Sequence, residues 1–216
     1  IVYSNTFECP FIFDDTCYIT EDPAIRMTEL SWKGIERAAF EGKPSNRLIP
    51  NVSFAINYYI SHYNVTPYHL TNILIHLATG LLLFFLVHLT LVRFGPPVRP
   101  TNFPAASVIA FFTVLLWLVL PVNTQAVTYT VQRMTSLAAF FYVLSLLLYA
   151  WGRCRLLDKG KMTPAAGLLF CGCLLAAICA VISKQNAGML PIIILSYEWF
   201  FFQNLSFALS KKQLAW

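Results

Sequence analysis

Two adjacent carboxylates, Asp14 and Asp15, follow the aromatic run Phe11-Ile-Phe13. Beside apolar groups at a membrane face, the pKa of a carboxylate rises far enough for it to act as a general base. The same pair also suits a solvated loop or a helix cap. A second polar set, His69, Asn72 and His76, is spaced i, i+3 and i+7 and shares one helix face. Its histidines stand two turns apart, about 10 Å along a helix, too far to hold one metal ion without other ligands. Interhelical hydrogen bonding accounts for Asn72 as well as a site does. A third set, Gln125, Tyr129, Gln132 and Ser136, reads as one stripe on a helix, flanked by Arg133. The planar fork of arginine suits a phosphate, although an arginine at a membrane edge also snorkels to headgroups. Lys184-Gln185-Asn186 supplies another cation.

The composition says what kind of element must hold these residues. Of 216 residues, 57% are hydrophobic and 12% charged, and the mean hydropathy is +0.62. Soluble domains are about half apolar and about a quarter charged, so the expected fold is an all-α polytopic membrane protein. Disorder is excluded by the same figures. A net charge of +5 spread over so apolar a chain makes no basic patch, which excludes nucleic acid as a partner. Five spans are expected, at 68–92, 103–120, 134–152, 163–183 and 187–203, within a membrane domain over 67–216. Trp199 and Phe200–Phe202 read as an interfacial aromatic belt.

Charge sets the orientation. Up to Arg47 eight acids meet five bases, a net −3, and beyond it ten bases meet two acids, a net +8. Residues 4–66 are therefore expected as an acidic outer loop, and 1–3 as the end of a preceding membrane helix. An interfacial helix over Ala24–Phe40 would start with Asp22 as cap and Pro23 in its first turn, ending at Gly42 and Pro44. Basic loops (Arg93 and Arg99; Arg153, Arg155, Lys159 and Lys161; Lys211 and Lys212) alternate with loops that carry only Arg133 and Lys184. Lysine and arginine stay cytoplasmic, so the acidic loop lies on the other side. There Cys9 and Cys17 either pair or remain free thiols. Cys171, Cys173 and Cys179, inside a span, act as small apolar residues. Asn51-Val-Ser53 and Asn64-Val-Thr66 match the N-glycosylation pattern.

Phe11-Ile-Phe-Asp-Asp15 resembles the aromatic-Asp-Asp signature in the first outer loop of a family of polytopic proteins. Tyr68-His-Leu-Thr-Asn-Ile-Leu-Ile-His76 resembles its second-helix motif. Residues Pro121 to Ser136 are similar to its Pro-x-x-Thr-Gln-Ala-Val-x-Tyr-x-x-Gln-Arg block. Ser183-Lys-Gln-Asn-Ala187 matches a Ser-Lys-Glu-Asn-Ala element, apart from Gln185. The four motifs keep the family's order from residue 11 to 187. The family is the bacterial relatives of the cadherin-targeting, tetratricopeptide-bearing O-mannosyltransferases, within the GT-C class of integral-membrane glycosyltransferases.

The resemblance implies a GT-C-like helix bundle with an acidic first outer loop. It implies transfer of a sugar, with inversion, from a polyprenyl-phosphate carrier to an acceptor hydroxyl of protein Ser or Thr outside the cytoplasm. Asp14 or Asp15 would be the base, with Asp14 the first choice. Arg133 would compensate the phosphate charge, with Lys184 and Arg47 as further candidates. His69, Asn72, His76, Gln125, Tyr129 and Gln132 would line the cavity. No metal or cofactor is expected. The partners are the lipid-linked sugar, a protein acceptor and membrane lipid. The location is a bacterial cell membrane, or the ER membrane in a eukaryote, and the sequence is expected to be the N-terminal membrane part of a larger enzyme. Two competing readings are a transporter or channel component, its polar stripes lining a pathway, and a non-catalytic scaffold, which the departure at Gln185 favours.

Overall fold

The computed structural model describes residues 3–95, 105–203 and 205, and every regular element among them is helical. In the outer segment Ser31 caps α1 (Trp32–Glu41), its Oγ accepting the Gly34 N–H at 3.1 Å. Asp22 is also a cap, accepting the Ala24 N–H at 2.9 Å, but Pro23–Ile25 is a single 3-10 turn. The outer helix therefore starts at Trp32 instead of Ala24. Leu30, Trp32 and Phe40 remain exposed on it and around it. Behind lies α2 (Leu48–Ser61), with Asn51, Phe54, Ala55 and Asn57 buried. Asn51 is 0% exposed, which closes the N-glycosylation pattern at Asn51-Val-Ser53. Ile19, Ile25, Met27, Ala38, Phe54, Tyr68 and Val131 share one core. The acidic segment is thus a folded cap seated on the membrane helices.

Asn64 starts α3 (Val65–Phe94), accepting the Thr66 N–H at 3.3 Å. Its 30 residues span about 45 Å at 1.5 Å each. The chain is described again in α4 (Ala105–Val119), then bends by 52° into Pro121–Thr128, which includes α5 (Thr124–Thr128). Pro121 has no N–H to continue the ladder, so the bend falls there. The next helix is α6 (Arg133–Lys159), closed by Gly160 in the left-handed region at φ +63°. Thr163 caps α7 (Pro164–Ser183), its Oγ1 accepting the Ala166 N–H at 3.2 Å. Val65–Phe94, Thr130–Lys159 and Pro164–Ser183 are long and apolar enough to cross a membrane, and the bent pair makes a fourth span when counted as one.

Across the bundle α3 packs between α4 and α6, and α6 between α3 and α7. Small residues let α6 and α7 approach closely: Ala138, Ala180 and Ala187 cluster, and Ser145 Oγ donates to the Cys173 carbonyl at 2.9 Å. Leu74, Leu168 and Leu175 point outward, where lipid replaces water as the solvent. At the end remote from the acidic cap, Arg93 pairs with Asp158. Nearby, Arg153 pairs with Glu198, which also accepts the Tyr149 hydroxyl at 2.8 Å.

The segment expected as a fifth span, 187–203, is built in pieces. A 3-10 stretch (Gln185–Met189) leads to the eight-residue α8 (Leu190–Tyr197) and a π-helical turn (Glu198–Phe202). Pro191, in the first turn of α8, has no N–H to extend the α-helical ladder back into the 3-10 stretch, and Glu198 pairs with Arg153. Ile1 and Val2, the loop residue Arg99, the first two residues of the expected second span, and Lys211 and Lys212 lie outside the described residues.

Candidate active site

Phe13 has a φ of +46°, a left-handed backbone that costs a bulky residue roughly 1 kcal/mol. The reversal sends the two acids in opposite directions. Asp14 is exposed. Asp15 is 1% exposed, and its carboxylate accepts the Val131 N–H at 2.7 Å and the Ile12 N–H at 3.2 Å. Burial pushes the Asp15 carboxyl above its ordinary value, against the opposing pull of those two hydrogen bonds. Asp14 is fixed through its backbone, its N–H donating to the Tyr129 hydroxyl at 2.9 Å. Burial raises the Tyr129 phenol, so it stays protonated and keeps a hydrogen to donate. Asp15 and Tyr129 line a cavity of about 280 Å³ together with Tyr3, Asn5, Thr124 and Thr128. Cys9 and Cys17 are both exposed free thiols.

The expected stripe of Gln125, Tyr129, Gln132 and Ser136 is not one helix face. α5 stops at Thr128, Tyr129 is extended, and a 3-10 turn (Thr130–Gln132) precedes α6. Inside a membrane protein the backbone groups freed by such a break need partners. Asn72 Nδ2 donates to the Val127 and Thr130 carbonyls, each at 3.3 Å, and Asp15 takes the Val131 N–H. His69 Nε2 donates to the Cys9 carbonyl at 3.1 Å, and His76 Nε2 to the Leu118 carbonyl at 3.0 Å. The expected cavity lining at His69, Asn72 and His76 is therefore a row of buried posts that hold neighbouring segments. Gln125 is exposed. Tyr129 accepts the Asp14 N–H, and Gln132 accepts from the Lys184 amine.

Arg133 is the main correction. Its type and position suggest a phosphate ligand, yet it is 0% exposed. Nε donates to Asn72 Oδ1 at 2.7 Å, Nη1 to Asn57 Oδ1 at 2.5 Å and the Ser53 carbonyl at 3.2 Å, and Nη2 to the Tyr68 carbonyl at 2.9 Å. The Phe54 ring centroid lies 4.5 Å from its Cζ. Four of the five N–H groups of a guanidinium are thus committed to α2 and α3. Arg133 bolts the outer cap to the membrane helices. Sequence patterning missed Ser53, Phe54 and Asn57 as its cradle; a polar Asn57 within an apolar helix was the available signal.

The accessible cations are elsewhere. Lys184, just past α7, donates through Nζ to Thr135 Oγ1 at 2.6 Å and to Gln132 Oε1 at 3.4 Å. Burial, and then the charge of Arg47, push its amine below the ordinary lysine value. Arg47 stands at the start of α2, is itself lowered by burial, and has a buried Nη1 with no hydrogen-bond partner among the described residues. Among the described residues neither cation has a carboxylate partner. An anion held there relieves both the repulsion and the orphaned donor. From Lys184 a groove of about 380 Å³ follows α6, lined by Trp117, Thr135, Ala138, Ala139 and Tyr142. One short segment joins the two sides: Tyr129 holds Asp14, while Gln132 and Thr135 hold Lys184. Among the described residues no three His, Cys, Asp or Glu side chains converge as a metal site.

Comparison with known proteins gives a consistent group. The chain is 27% identical over 214 residues to protein O-mannosyl-transferase TMTC1 of Mus musculus, covering 93% of this chain and 21% of that protein. It is 28% identical over 213 residues to protein O-mannosyl-transferase TMTC2 of Homo sapiens, covering 94% and 23%. To protein O-mannosyl-transferase Tmtc3 of Drosophila melanogaster it is 26% identical over 220 residues, covering 95% and 23%. No family model matches the chain. No solved structure matches it either. The chain spans between a fifth and a quarter of the length of these relatives. Over nearly its own whole length the chain is similar to protein O-mannosyl-transferases, and its described residues form an all-helical, multi-pass membrane protein.

Proposed function

We propose that the chain forms the donor-binding and base-presenting part of an integral-membrane glycosyltransferase. The reaction moves a sugar from a polyprenyl-phosphate carrier to a Ser or Thr hydroxyl of a protein, on the face of the membrane that carries the acidic cap. The membrane is a bacterial cell membrane, or the ER membrane in a eukaryote. The groove carries this reading. An apolar trough along α6 that ends at Lys184, whose amine feels the charge of Arg47, suits a lipid chain that ends in a phosphate. The names of the relatives, each a protein O-mannosyl-transferase, support a protein acceptor and make mannose the first sugar to test.

In this reading the Asp14 carboxylate takes the proton of the acceptor hydroxyl as its oxygen bonds to the anomeric carbon. The bond from that carbon to the phosphate oxygen breaks on the opposite face, so one displacement inverts the centre. The electron pair leaves on polyprenyl phosphate, whose charge Lys184 and Arg47 compensate. A phosphate leaves readily, so cations serve where a general acid would otherwise be needed. Tyr129 positions Asp14, and Asp15 positions the loop by holding the Ile12 and Val131 N–H groups. A transport pathway has less support, because His69, Asn72 and His76 are each bonded to backbone carbonyls inside the packing.

Lys184→Gln and Arg47→Gln, made in the full-length protein, should each raise KM for polyprenyl-phosphate mannose about 10- to 100-fold. This is the worth of one charge-assisted hydrogen bond, roughly 1.5–3 kcal/mol. Melting temperatures should not change. Unaltered KM in both variants removes the phosphate site.

A pH profile tests the same cation. Lys184 is charged below its pKa, and that pKa lies beneath the ordinary 10.5. Donor affinity should therefore fall as pH rises, beginning earlier than for an exposed lysine. Lys184→Arg keeps its charge and should move this alkaline limb upward. A limb that stays in place excludes Lys184 from donor binding.

A further inference from the structure

The end of the bundle remote from the acids holds a second cavity, of about 410 Å³, where the last turns of α3 and α6 meet the start of α7. Arg93, Arg155 and Lys159 line it with one acid, Asp158, which pairs with Arg93. The lining is thus net positive by two charges, and among the described residues Arg155 and Lys159 have no carboxylate partner. The Arg155 guanidinium lies over Trp151, with its Cζ 5.5 Å from the ring centroid. Leu89, Val92 and Trp151 give the cavity an apolar wall, and Val92 and Trp151 are 63% and 46% exposed on the lipid-facing side. Thr163, the cap of α7, brings the positive end of that helix to the rim. Arg155 and Lys159 are exposed, yet both line a cavity whose opposite wall is apolar.

We propose that this cavity binds the phosphate of an anionic membrane phospholipid. Arg155 and Lys159 hold the headgroup, and the wall of Leu89, Val92 and Trp151 takes the first methylenes of its acyl chains. Basic pockets between membrane helices on the cytoplasmic side receive such headgroups. The alternation of basic loops puts this end in the cytoplasm. The site shares no residue with the donor groove and stands independently of the proposed glycosyl transfer. A bound lipid would tie α3, α6 and α7 together beside the partly exposed Arg93–Asp158 pair.

The test uses the full-length protein released from bilayers of phosphatidylcholine and phosphatidylglycerol, with lipid adducts counted by native mass spectrometry. Phosphatidylglycerol should be retained in preference to phosphatidylcholine in the unaltered protein. Retention should fall about fivefold for each charge removed in Arg155→Gln and Lys159→Gln. Brominated phosphatidylglycerol should quench the emission of Trp151, isolated by subtracting the Trp151→Phe signal, more strongly than brominated phosphatidylcholine does. Added inorganic phosphate should leave that quenching intact. Equal retention of the two lipids, full retention when Arg155→Gln and Lys159→Gln are combined in one protein, or displacement by inorganic phosphate each overturns the lipid site. Sugar transfer should be unchanged in both glutamine variants.

Discussion

Asp14→Asn should lower sugar transfer by about 10²- to 10⁴-fold, the range a general base contributes, with melting temperature and donor KM unchanged. The side chain is exposed and its backbone N–H bond to Tyr129 survives the substitution, so nothing structural is removed. A carboxamide of the same shape cannot take the proton of the acceptor. Asp15→Asn should behave differently. Its amide nitrogen would face the N–H of either Ile12 or Val131, leaving a buried donor without an acceptor at a cost of about 1–3 kcal/mol. The melting temperature should drop, and the surviving folded fraction should keep its catalytic step. The opposite pattern, a stable but inactive Asp15→Asn beside an active Asp14→Asn, assigns the base to Asp15.

Arg133→Met should prevent accumulation of well-folded protein. Removing the guanidinium leaves Asn57 Oδ1, Asn72 Oδ1 and the Ser53 and Tyr68 carbonyls without their donor. Breaking a buried charged arrangement of this kind costs about 3–5 kcal/mol, a large part of a typical total of about 5–15 kcal/mol. Arg133→Lys keeps the charge but replaces the planar fork with a point ammonium, and should recover only part of the loss. The check is the yield of monodisperse protein and its melting temperature in detergent. Normal stability of Arg133→Lys with a raised donor KM would return Arg133 to the phosphate.

Arg133 also marks where reading a sequence stops. An arginine beside a polar block is spelled the same way whether it meets a phosphate or a packed core. Its partners Asn57 and Ser53 lie 76 and 80 residues away, so no local spacing discloses them. The apolar runs of α3, α6 and α7 and the Asp14-Asp15 pair were legible because hydrophobic length and adjacency are local properties. The stripe from Gln125 to Ser136 presumed an unbroken helix. The extended Tyr129 is supported by Asp15 and Asn72, which arrive from other elements. α2 was hidden because its apolar residues are interleaved with Asn51 and Asn57, whose partners lie outside the helix. The stretch 187–203 is apolar enough for a span, but its course is set by Pro191 and by the pairing of Glu198 with Arg153.

Donor placement is tested most directly by photolabelling. Full-length protein in bilayers is incubated with polyprenyl-phosphate mannose carrying a photoactivatable group in the isoprene units next to the phosphate, and the labelled residues are mapped. Label should fall on Trp117 and on α6 between Ala138 and Val143, and should be lost in Lys184→Gln. Label confined to other helices, or unaffected by that substitution, contradicts the assigned donor site.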